Sequence, residues 1–93
     1  MELPINYAEA TWQERREARN QYIVLQDNIC WFCKCSLLAK PSKKVQEAYL
    51  NMSLFPKGFL DYPVHLHHDH KTHMTIGAVH SKCNGYLWQY LGE

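Results

Sequence analysis

Ninety-three residues make one domain, and a chain this short buries a thin core that often needs a covalent or metal staple. A formal charge of +1 excludes a global basic field for nucleic acid, and no apolar run approaches the ~20 residues of a bilayer span. Four cysteines and six histidines stand out, and with no basic-then-apolar leader at Met1-Glu2-Leu3-Pro4 the cysteines read as thiolates of a reducing cytoplasm, not as a disulfide framework.

In chain order, residues 1–7 read as an irregular lead-in and residues 8–27 as a helix. Ala8, Trp12, Ala18, Tyr22, Ile23 and Leu25 recur there at roughly helical spacing. Glu14, Glu17, Arg15, Arg16 and Arg19 form its charged face, read either as solvated or as a contact for phosphate or a partner. Asn28 is the expected stop. Residues 29–36 have the look of a tight metal knuckle. Pro41 and Ser42 open a second helical pattern to about Leu54, with Ser42 as N-cap and Val45, Ala48, Tyr49 and Met52 on one stripe. Pro56, Gly58 and Pro63 mark a loop over 55–63. Val64 to His68 reads as a strand, Asp69 to His73 as its turn, and Met74 to Val79 as a return strand weakened by Gly77. A final helix spans 82–91. Trp31, Tyr86, Trp88 and Tyr90 are expected in the core around a metal rather than as base-stacking platforms.

Cys30 and Cys33 make one pair with two residues between them, and His80 and Cys83 repeat the spacing. Zinc takes four soft or borderline ligands in a tetrahedron, commonly as two close pairs from distant parts of the chain. The expected site is Cys30, Cys33, His80 and Cys83, tying the knuckle to the last helix as structural zinc. Cys35 could replace Cys30 or Cys33, and His70 or His73 could replace His80; four reduced cysteines without metal are the remaining reading. His67, His68, His70 and Asn84 are left over and look like a second, reactive site. Lys71 and Lys82 flank it as candidate phosphate contacts, and His65, His73 and Asp69 read as strand and turn residues.

From His67-His68-Asp69-His70 through Gly77-Ala78-Val79 to Cys83-Asn84, with Cys30 and Cys33 upstream, the chain resembles the His-Me finger (ββα-metal, HNH-type) endonucleases. It is most similar to the phage recombination endonuclease VII group, over roughly residues 29–91. His67 stands where that group has its first Asp, His80 where it has a Cys, His73 at the turn glycine and Ile76 at a usually basic position. The resemblance implies an α+β fold with N-terminal helices and a C-terminal ββα-metal motif, in a single domain over 1–93. It implies His68 as general base, His67 and Asn84 as holders of one divalent ion, and His70 on the scissile phosphate. The chemistry agrees, since an imidazole accepts a proton near neutral pH and one ion with open positions neutralises phosphate charge. Magnesium takes few protein ligands, whereas imidazole suits manganese, nickel or cobalt, so Mg2+ or Mn2+ is expected with tolerance of Ni2+ or Co2+.

The expected function is therefore a DNA endonuclease acting on double-stranded DNA, leaving 5′-phosphate and 3′-hydroxyl ends. It would nick as a monomer, or cut both strands as a homodimer joined through helix 8–27, in the cytoplasm, of a phage host by association. Two rivals stand beside it: a non-catalytic zinc module that binds nucleic acid or a protein partner, and a metal-handling protein that uses the histidines.

Overall fold

Thr11 decides where the first helix begins. The computed structural model describes all 93 residues. In it Thr11 Oγ1 accepts from the Glu14 N–H, and the Glu14 carboxylate accepts from the Thr11 N–H. This reciprocal cap starts helix α1 at Trp12 and not at residue 8. It ends at Leu25, short of 27, because Asp27 and Asn28 take left-handed φ values of 54° and 60°. Residues 5–7 are not an irregular lead-in. The Thr75 N–H donates to Ile5 O and the Tyr7 N–H to His73 O, so this run pairs like a short strand.

The knuckle closes through an Ile29–Ser36 bridge, with Lys34 at φ 65° in its turn. The expected helix from Ser42 to Leu54 breaks into α2 (Lys43–Glu47) and a 3-10 turn (Met52–Leu54). Ala48 leaves the helix in extended conformation, and Asn51 starts the second turn by accepting from the Ser53 N–H. Between the two turns, Tyr49 O accepts from Gln89 Nε2, and the Asn51 N–H donates to Gln89 Oε1. Only Val45 of the expected stripe is deeply buried, and Tyr49 is 72% exposed. Ser42 does hold the N-cap position, but its side chain makes no capping bond.

Strands β1 (Val64–His68) and β2 (Thr75–His80) pair antiparallel. The second strand is shifted by one residue from expectation, since Met74 bridges Asn6 and His80 completes the ladder opposite Val64. The register slips between His67 and His68, which face Gly77 and Thr75, so Ile76 is the extra residue of a bulge. Helix α3 (Ser81–Leu91) follows β2 with no loop, and Gly92 closes it at φ 71°. The result is an α+β domain whose core joins Leu37, Val45, Ala78, Val79 and Leu87 to two cysteines, Cys30 and Cys83. No helix is long and apolar enough to cross a membrane.

Candidate functional site

The direct passage of β2 into α3 places His80 and Cys83 at one helix start, and the knuckle brings Cys30 and Cys33 against them. The four ligand atoms lie within 4.8 Å of one another, and no other His, Cys, Asp or Glu side chains converge in this way. His80 Nδ1 is 3.5 Å from Cys33 Sγ and 3.6 Å from Cys83 Sγ. A tetrahedral zinc with bonds of ~2.3 Å to sulfur and ~2.05 Å to nitrogen separates those ligands by about 3.6 Å. The other ring nitrogen, Nε2, lies 2.9 Å from Ser36 O and 3.0 Å from Ala39 O. It carries the proton toward those carbonyls, which leaves Nδ1 its lone pair for a metal.

One sulfur is shifted toward the ligating thiolate form and one away from it. A hydrogen bond from Cys83, helped by the Cys33 N–H, draws the Cys30 thiol down to about 4, and Cys83 as donor is pushed up. The Cys3His cluster is compatible with structural zinc. Cys35 stays outside it, its backbone carbonyl accepting from the Cys30 N–H at 2.8 Å.

Three of the remaining histidines, His65, His68 and His70, line an open cleft of about 830 Å³ beside β1. Val64, Leu66 and His68 from one face of the strand and His65 from the other line it, with His70 from the turn and Asn84 from α3. His68 and Asn84 therefore share one site. Cys83 and Asn84 are neighbours about 100° apart on the helix, so one faces the sulfur cluster and the other the cleft.

His68 stacks on Tyr7 at 3.9 Å and 9°, and Arg15 lies 4.0 Å over the other ring system, that of Tyr7 itself. Burial, then the charges of His70, His67, His73 and Arg15, lower the His68 pKa to about 4. The ring is thus neutral throughout the physiological range, and so low a pKa makes it a weak proton acceptor there.

His67 takes a different place. It is 1% exposed, lies behind the cleft wall against Trp31 at 5.4 Å, and neither ring nitrogen has a hydrogen-bond partner. Burial lowers its pKa, opposed by the nearby Glu93 carboxylate and the Asn84 amide. A buried imidazole with two unpartnered nitrogens is rare, and such a group calls for a water or a cation. Asn84 Nδ2 lies 3.1 Å from His65 Nδ1, leaving its oxygen uncommitted.

Asp69 orders the turn: its Oδ1 accepts from the N–H groups of Lys71 and Thr72. Lys71 and Lys82 are exposed and do not line the cleft. Arg15, Arg16 and Arg19 do, none of them paired with a carboxylate, and no Asp or Glu contributes to the lining. The sequence signal for these cations was their i, i+1, i+4 spacing on one helix, but nothing in the chain said that this face turns toward β1. Trp31, Trp88 and Tyr90 are not core residues; each is at least one-third exposed, and only Tyr86 packs against the core, 5.6 Å from Phe32.

Comparison of the chain with protein-family models, with curated proteins and with solved structures gives no match.

Proposed function

We propose that this chain is a metal-dependent endonuclease that hydrolyses DNA phosphodiester bonds, with β1, β2 and α3 as a ββα-metal unit. The observation that carries this reading is one carboxylate-free cleft in which a neutral histidine, an uncommitted asparagine oxygen and three arginines without carboxylate partners meet. Such a lining selects a polyanion and offers it a proton acceptor.

In the proposed reaction His68 removes a proton from water, the resulting hydroxide attacks phosphorus, and the bond to the 3′ oxygen breaks. That oxygen leaves with a proton from water, giving the 5′-phosphate and 3′-hydroxyl ends. Arg15, Arg16 and Arg19 hold the flanking phosphates, and His70 orients the scissile one. For a divalent ion the Asn84 oxygen is free in the cleft, whereas His67 has unpartnered nitrogens but is buried behind the cleft wall; Mg2+ or Mn2+ held by both would neutralise charge building on the phosphate only once the His67 ring turns toward the cleft. His65 is the positioning residue, holding the amide nitrogen of Asn84 so that the oxygen is presented. The Cys3His zinc fixes the helix start from which Asn84 projects.

Supercoiled plasmid incubated with Mg2+ or Mn2+ tests the reading. The wild type should relax it, and His68→Ala should be slower by about 10²–10⁴, the usual contribution of a general base. Plasmid left intact with every ion would leave the non-catalytic binding module instead, and a His68→Ala protein as fast as wild type would remove His68 from the role of base.

A further inference from the structure

We infer that the cleft grips an unpaired strand of DNA, stacking its bases on exposed aromatic rings while the arginines of α1 hold its phosphates. This rests on the phosphodiester reading of the same cleft and departs from the duplex substrate expected from sequence. Charge sets the first requirement. Arg15, Arg16 and Arg19 line the cleft without a carboxylate partner, and no acidic side chain stands among its walls, on a protein whose formal charge is only +1. The occupant is therefore a chain of negative charges.

The rings decide which one. Trp12, Tyr62 and Trp88 line the same cleft and are 65%, 72% and 48% exposed. A base inside a duplex is stacked on both faces by its neighbours, so a protein ring reaches base edges, sugar and phosphate there but no base face. An unpaired base has a free face, and a ring beside a basic groove is the platform that holds it. Trp12, Arg16 and Arg19 follow at i, i+4 and i+7 along α1, so platform and cations form one stripe. The Arg16 guanidinium sits 5.1 Å from the centre of the Trp12 ring, within reach of a phosphate beside a stacked base.

The test is fluorescence anisotropy of zinc-loaded protein with a labelled oligothymidylate, a duplex of equal length and an oligouridylate, with no further divalent ion. Oligothymidylate should bind more tightly than the duplex. Trp12→Ala, at an exposed site, should weaken that binding by about five- to 150-fold and leave the duplex nearly unaffected. Arg19→Gln should reduce the slope of log affinity against log salt by about 0.7. Duplex bound as tightly as the single strand, or no loss in either Trp12→Ala or Tyr62→Ala, would overturn the inference; tighter binding of oligouridylate would overturn its assignment to DNA. Single-strand binding with neither the plasmid nor the oligothymidylate cut in Mg2+ or Mn2+ would instead sink the catalytic reading alone, and cleavage with a duplex preference would sink this inference alone.

Discussion

His68 and His67 are adjacent in sequence and differ sharply in setting. Ideal strand alternation sends neighbours to opposite faces, and His68 lies beside the cleft while His67 is buried behind it against Trp31. The setting of His68 has a pH signature. Its folded pKa of about 4 lies below the ordinary 6.5, so the fold favours the neutral ring. The stabilisation is complete above 6.5 and is lost as pH falls from 6.5 toward 4, where the unfolded chain takes up a proton that the folded chain refuses. Proton NMR of zinc-loaded protein, without other divalent ions, should show the His68 ring titrating near 4. A midpoint near 6.5 would mean that the ring is solvated. If His68 is the base, the acid limb of kcat/KM should fall in the same low range. The reactive residue types were legible in the sequence, but the partners that tune them were not, because Tyr7 reaches His68 across about 60 positions of chain.

At the scale of elements, β2 is held on an edge by the side chain of Gln26, the residue that caps the end of α1. Gln26 Oε1 accepts from the Ala78 N–H at 2.8 Å, and its Nε2 donates to Ala78 O at 2.9 Å and Ile29 O at 2.8 Å. One amide thus stands in for a neighbouring strand and locks helix, knuckle and sheet together. Gly77 makes the approach possible, since a Cβ there would lie 2.7 Å from Gln26 Oε1 and 3.1 Å from Trp31 Cβ. Gly77→Ala should therefore destabilise the domain by about 1–3 kcal/mol in chemical denaturation, the range for overpacking, despite its better strand propensity. An unchanged midpoint would show that the clamp gives way easily. The sequence suggested that Gly77 weakens its strand, whereas the structure makes the missing side chain a condition of packing. The hairpin and final helix were legible because Val64–His68 and Ser81–Leu91 are short, strongly patterned runs with a turn between strands. The second helix was not, because Gln89 and Tyr90 pull residues 49–51 into an extended path that local propensity does not encode.

For the whole molecule, the question is what holds so thin a core together. Only 15 of 93 residues are buried, and Cys30 and Cys83 are among the largest fully buried side chains. Both belong to the Cys3His cluster that could hold zinc, so that candidate metal site lies within the core rather than beside it. It joins the knuckle, which extends from α1, to the start of α3, which carries Asn84 to the cleft. An unfolded chain has no such preformed site, so the affinity for zinc enters the folding free energy, at about 10–16 kcal/mol in small zinc-dependent peptides near neutral pH. That is as large as the ~5–15 kcal/mol by which native domains are stable at all. Chelation should accordingly abolish the cooperative thermal transition and the near-ultraviolet dichroism of the aromatic residues, with one equivalent of zinc restoring both. Cys83→Ser should bind less than one zinc and behave like the chelated protein, whereas Cys35→Ser, outside the cluster, should bind one zinc and melt as wild type does. A chelated chain that keeps its cooperative transition would show that Leu37, Val45, Val79 and Leu87 suffice as a core, and that the metal only trims the position of Asn84.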